Sequence, residues 1–202
     1  MNVIELLKKD HETVSKLFKS FEAAKEDEDA GSRQQIARQI CQELTVHATV
    51  EEELFYPAVD AKATAEDEKA EDLVKEADEE HRVVKALVAE VETMDESEDH
   101  FNAKMKVLKD VVEHHVKEEE GDLMPKARKL LTSDELEEIG TRLEERKEEL
   151  KAETAESREA AKERTTPRTG TGGRKPSARR APSLPRRASR AKASSSRSRT
   201  KR

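Results

Sequence analysis

The chain has 202 residues, 42% of them charged and 2% aromatic, with no tryptophan. That composition disfavours a sheet, because strands draw on β-branched and aromatic residues, and it favours long amphipathic helices. The single cysteine, Cys41, excludes a disulfide framework and any Cys-based zinc or iron–sulfur site.

The net charge of -7 conceals an asymmetry. Of the 39 Lys and Arg, 14 lie in residues 164–202, which hold no acid; the remaining 25 face 46 acids, so residues 1–163 carry -21. No stretch approaches the roughly 18 apolar residues of a membrane span. The N-terminus enters an amphipathic pattern without an apolar run of signal-peptide length. A cytoplasmic protein without membrane association is expected.

A first helix is predicted from about Val3 to Lys25, closed by the acidic turn Glu26-Asp27-Glu28-Asp29. A second runs from about Ser32 to Tyr56, where Pro57 stops it or kinks its end. After a loop with Thr64 as a candidate N-cap, a third spans about Ala65 to Met94 and a fourth about Asp99 to Met124, where Pro125 repeats the role of Pro57. Helices of about 25 residues are roughly 38 Å long. Four of them on short links make an all-α, up-down-up-down four-helix bundle. Thr132 and Glu135 form a capping-box pattern opening an additional helix from about Ser133 to Glu163. Leu136, Ile139 and Leu143 are enough to dock its first part, and beyond Leu150 it is almost wholly polar. The expected division is a bundle over 1–130, an extra helix over 131–163 and a basic tail over 164–202. The tail is predicted disordered, since its composition cannot bury enough apolar surface to offset ordering the backbone.

The bundle is a duplication. Ile4, Leu7, His11, Val14, Phe18 and Phe21 superimpose on Val74, Ala77, His81, Val84, Val88 and Val91 with an offset of 70. Ile40, Leu44, His47, Glu51 and Leu54 correspond likewise to Leu108, Val112, His115 and Glu119. Each seam has three–four spacing and is interrupted by a histidine. In both second members the His precedes a Glu by four residues and a Pro by ten, so imidazole and carboxylate share a helix face. Four imidazoles and two carboxylates thus converge on the interior. Burying such carboxylates without a cation would be costly. Six ligands from four helices suit two ions bridged by the carboxylates better than one, and nitrogen and oxygen donors without thiolate suit iron. His114 and Glu118 share the four-residue spacing but leave the seam, so His115 and Glu119 are the expected pair. His100 is expected exposed near a helix start. Glu52 and Glu120 are candidates to orient the ligands from outside.

With these residues on the page, the chain resembles the hemerythrin family in its bacterial HHE cation-binding form, His…His-x-x-x-Glu…His…His-x-x-x-Glu, through His11, His47, Glu51, His81, His115 and Glu119. The resemblance covers about residues 1–130. It implies a non-haem di-iron centre, two irons joined by the carboxylates and an oxo or hydroxo bridge, that binds dioxygen or related molecules. Similar bacterial proteins are associated with peroxide decomposition, redox stress and oxygen or iron sensing, so a catalase-like activity is an alternative. Oxygen carriers of the family have a second His one turn after the third-helix His. Lys85 stands there in this chain. One iron is therefore expected to have an extra open position, with Glu80 or Tyr56 as residues that could reach in.

The tail's fourteen cations are a candidate for sequence-independent nucleic-acid binding through phosphates. It has no aromatics for stacking and no folded motif. A solubilising tail, or one folding back on the acidic body, is the competing reading. Arg186-Arg187-Ala188-Ser189 is a weak phosphorylation motif.

Overall fold

The computed structural model describes residues 1–26, 30–63, 68–95 and 97–165. The predicted tail, the Thr64 cap and the Arg186–Ser189 motif lie outside them, as does most of the acidic turn after the first helix.

Among the described residues the fold is all-helical. Helix α1 spans Val3–Glu26 and starts on a reciprocal cap, the Glu5 N–H donating to Asn2 Oδ1 at 3.0 Å. Helix α2 spans Ala30–Val50, passes through a π turn at Glu51–Phe55 and continues as α3, Tyr56–Asp60. Helix α4 is Glu68–Thr93. Helix α5, Phe101–Glu118, repeats the second rod with a π turn at Glu119–Leu123 and α6, Met124–Leu130. The predicted capping box is present at the start of α7, Ser133–Thr165: the Glu135 N–H donates to Thr132 Oγ1 and the Thr132 N–H to Glu135 Oε2, at 3.3 and 2.8 Å.

The four rods form the expected up-down-up-down bundle with an added C-terminal helix. Two apolar clusters fill it. One joins Val14, Phe18, Ile40, Leu44, Val88 and Leu108 with their neighbours. The other joins Ile4, Leu7, Phe55, Tyr56, Leu123 and Met124 with Leu136, Ile139 and Leu143 of α7. The duplicated seams are therefore core, and α7 completes the second cluster instead of merely touching it.

The prolines act differently from expectation. Neither Pro57 nor Pro125 ends its rod; each sits in the first turn of a continuing helix. A proline inside a helix loses a hydrogen bond and crowds the carbonyl four residues back. The π turn upstream widens the ladder to meet it: the Tyr56 N–H donates to Glu51 O, and the Met124 N–H to Glu119 O. The extra residue shifts the inward face. Phe55 and Tyr56 are buried and Leu54 is only half-buried, where straight α-helical spacing placed Leu54 on the seam.

Gly140 is where α7 meets the N-terminus. A Cβ there would lie 2.5 Å from Met1 O and 2.9 Å from Val3 N, both backbone atoms. Gly140→Ala is expected to destabilise by about 1–3 kcal/mol despite its better helix propensity. Gly121→Ala, whose Cβ meets nothing within 4 Å, is expected not to lower the melting temperature. Thermal unfolding of the two variants side by side checks this.

Candidate metal centre

The two apolar clusters are separated by a polar layer. His11 comes from α1, His47 from α2, His81 from α4 and His115 from α5, while Glu51 and Glu119 each open a π turn. All six are buried, none more than 6% exposed. The structure thus brings together every residue picked out by the duplicated pattern.

The imidazoles are paired. His11 Nε2 lies 3.2 Å from His47 Nε2, and His81 Nε2 lies 3.2 Å from His115 Nε2. Each carboxylate reaches across the pairs. Glu51 Oε2 is 3.1 Å from His47 Nε2 and 3.4 Å from His81 Nε2. Glu119 Oε2 is 3.2 Å from His11 Nε2 and 4.0 Å from His115 Nε2. These contacts are close but poorly directed: neither oxygen of either carboxylate makes a well-formed hydrogen bond.

Outside the layer, three carboxylates accept hydrogen bonds from the other ring nitrogens and a fourth lies close to the last one. Glu120 Oε1 is 2.8 Å from His11 Nδ1, Glu52 Oε1 3.0 Å from His81 Nδ1, Glu80 Oε2 2.9 Å from His115 Nδ1, and Asp10 Oδ2 3.6 Å from His47 Nδ1. A carboxylate on Nδ1 places the ring proton there and leaves the Nε2 lone pair facing inward, the tautomer a metal ligand needs. Three of these carboxylates are in turn held by lysines: Glu120 by Lys8 at 3.1 Å, Glu52 by Lys85, and Asp10 by Lys147 of α7.

The electrostatics follow. Burial, His115 and His47 push His81 down to about 3, and burial also lowers His47. Burial opposes charge on His11 too, but Glu119 and Glu120 outweigh it and raise its pKa. Burial and the adjacent Glu119 push Glu51 well above the usual carboxylate range, since two touching carboxylates resist ionising together. Burial would also raise Asp10, but His47 and Lys147 keep it low.

These residues fit metal ions. Two imidazole pairs with ring nitrogens 3.2 Å apart, and buried carboxylates without hydrogen-bond partners between them, are unfavourable unless a cation lies among them. Ligands about 2.1 Å from one ion in tetrahedral geometry sit about 3.4 Å apart, close to the separations seen. Two overlapping donor groups result, His11–His47–Glu51–Glu119 and Glu51–His81–His115.

Other expectations resolve individually. Glu80 does not reach the interior; it is engaged on His115 Nδ1. Lys85 turns outward to Glu52, with its side chain 43% exposed. Tyr56 does face the layer, its hydroxyl 3.4 Å from His81 Nε2; burial and the two glutamates raise its pKa, so it is a neutral phenol. Tyr56 thus reaches in as expected, although simple helical spacing leaves it off the seam, because the π turn rotates the fifth residue after Glu51 inward. His114 lies outside the layer, 60% exposed on its side chain, and His100 is exposed at the start of α5. The orienting roles of Asp10 and Glu80 were missed. Their signal is an acid directly before the ligand histidine in both copies. Lys8 and Lys147 had no signal short of the fold.

Fold and donor set together define a helical bundle built to take metal cations. The description "Hemerythrin HHE cation binding domain" matches residues 2–127, and the chain belongs to that family. A hemerythrin HHE cation binding domain-containing protein from Mycobacterium kansasii has a similar structure, with TM-score 0.64 and 27% identity over 83% of this chain and 95% of that one. A DNA nickase from Nostoc sp. is 29% identical over 141 residues, 70% of this chain; the match spans 38% of the nickase's length. Among the described residues, no helix is long and apolar enough to cross a membrane.

Two outcomes test this geometry. Asp10→Asn is expected to weaken metal affinity about 10–100-fold by loosening His47, and Lys147→Met to weaken it less, with Lys147→Arg restoring it; competition with a chromogenic chelator measures both. Protons compete with a cation for Glu51 and His11, whose pKa values are raised. Affinity is therefore expected to rise with pH until both have lost their protons, and loading in weakly buffered solution to release protons.

Proposed function

We propose that the protein holds two iron ions, liganded by His11, His47, His81 and His115 and bridged by Glu51 and Glu119, and that this centre binds dioxygen or hydrogen peroxide. The observation that carries the reading is the pair of inward-facing imidazole couples with a carboxylate reaching across each. Bound iron would supply reversible one-electron chemistry and open positions for a small oxygen ligand. The chain supplies the rest. A cavity of about 20 Å³ lies against the four imidazoles under Val14, Leu44, Val84, Val112 and Val116. That is room for little more than a water-sized molecule. Its walls are apolar apart from the imidazole edges, which suits dioxygen.

Each imidazole pair contributes two nitrogens, with Lys85 engaged elsewhere. The His81–His115 half therefore lacks the third imidazole of an oxygen carrier, while the Tyr56 hydroxyl stands near His81 as a proton donor. This supports reaction with peroxide over reversible oxygen storage, in a role of redox-stress response or of oxygen or iron sensing.

Metal analysis and the visible spectrum of wild type beside His115→Ala test the centre. About two irons per chain are expected, with diferric absorption lost in the variant; no iron uptake by wild type would sink the reading. Peroxide consumption, followed by oxygen evolution, is expected to fall in His81→Ala and Glu119→Gln to the level of free iron. Negligible turnover by iron-loaded wild type would leave binding or sensing instead.

A second reading has its own support. The tail's fourteen cations and the similarity to a nickase favour association with DNA through phosphates, with the bundle as regulator. Duplex binding by the full chain is expected to weaken steeply with salt and to vanish on truncation at Arg164. Binding that survives truncation would remove the tail from the account.

A further inference from the structure

Four carboxylates orient the four imidazoles, and each uses one oxygen for the ring and has a second to spare. In three of them that second oxygen meets a lysine ammonium: Glu120 with Lys8, Glu52 with Lys85, Asp10 with Lys147. The fourth is different. Glu80 Oε1 faces His114 Nε2 at 3.4 Å, and the same nitrogen lies 3.3 Å from Glu118 Oε1. The position that is cationic elsewhere is here an imidazole followed by a further carboxylate. Those three donor atoms all fall within 4.8 Å of one another, and the two contacts to His114, 3.4 and 3.3 Å, match the separation of ligands on one ion.

A second observation sits directly beneath. A cavity of about 10 Å³ is lined by Glu76, Glu80 and Glu118, by His115 and Glu119 of the centre, and by the apolar Leu73, Ala77 and Leu123. It is about the size of one water molecule. At its inner end is Glu119, 2% exposed, whose carboxylate oxygens have no hydrogen-bond partner. The other cavity at the centre meets the imidazoles but has no carboxylate on its wall.

We infer that Glu80, His114 and Glu118 form a surface site for a divalent cation, from which ions pass along this cavity to Glu119 and fill the centre. The inference rests on the metal-centre reading given above. Glu80 holds His115 with one oxygen and offers the other to the incoming ion, so docking a cation there does not release the ligand. Glu118 and Glu76 add negative charge at the mouth, which raises the local cation concentration.

The test uses the full-length protein, stripped of metal and titrated anaerobically with Fe²⁺, with Zn²⁺ in parallel. The variants are His114→Asn/Glu118→Gln, and His114→Asp, which keeps a ligand. Both altered side chains are partly exposed, 60% and 35%, and circular dichroism confirms folding. Wild type is expected to bind one ion more per chain than the double variant and to load its centre roughly tenfold or more faster. The final spectra of the loaded centres are expected to be identical, and His114→Asp to recover most of the rate. Equal ion counts, or an extra ion whose loss leaves the loading rate unchanged, would overturn the proposal. If wild type loads its centre and the variants match it, only the port fails. If wild type takes up no ion that His115→Ala loses, the centre itself fails and the port with it.

Discussion

Everything in this molecule is arranged around one unfavourable contact. Two pairs of imidazole nitrogens point at each other across 3.2 Å inside a bundle whose other interior residues are apolar. Two fully buried carboxylates lie between them without hydrogen-bond partners. Left to themselves such groups cost several kcal/mol for each buried charge. The chain does nothing to relax the conflict; it enforces it. Carboxylates on three of the four Nδ1 atoms restrain the rings, Asp10 lies near the fourth, and lysines pair with three of these four carboxylates. A layer held this rigidly against its own repulsion is organised for cations, and the apolar clusters on either side supply the packing that keeps it in place.

The duplication explains the economy of the design. Asp10 before His11 and Glu80 before His81 reach the His of the following rod, while Glu52 and Glu120, next to the interior carboxylates, reach back to His81 and His11. One helix pair contains half of a self-consistent network, and its repeat closes it. The copies then diverge where function needs asymmetry. Tyr56 in the first is Met124 in the second, so only one imidazole pair has a phenol beside it. Three outer carboxylates have lysines and the fourth has His114. Helix α7, beyond the region of the family match, supplies Lys147 and so couples an appended element to a residue that holds a ligand.

The bundle and its interior histidines were legible because both rest on periodicity. A seam of Ile4, Leu7, Val14 and Phe18 interrupted by His11 can be read without coordinates, and its recurrence at Val74 to Val91 removes the ambiguity of a single polar residue. The π turns were not legible. Proline in a helical pattern signals a stop, and nothing in Glu51-Glu52-Glu53-Leu54-Phe55 shows that the ladder widens instead. That one local event decides that Phe55 and not Leu54 enters the core, and that Tyr56 meets His81. The lysines were invisible for another reason: Lys147 meets Asp10 only through tertiary packing across 137 positions, and local spacing carries no such information.

The two cavities beside the layer differ in that only one has carboxylates on its wall, and this difference follows from the rods themselves. Toward Val14, Leu44, Val84 and Val112 each rod continues its α-helical seam, so the space above the imidazoles inherits apolar walls. The cavity beside Glu119 instead borders α4 and the second π turn, and the acids flanking the ligands, Glu80 and Glu118, line it together with Leu73, Ala77 and Leu123. If the centre takes up its ions by the proposed port, filling it and using it follow different routes, and a change at Glu118 alters the first without touching the apolar walls beside Val14, Leu44, Val84 and Val112.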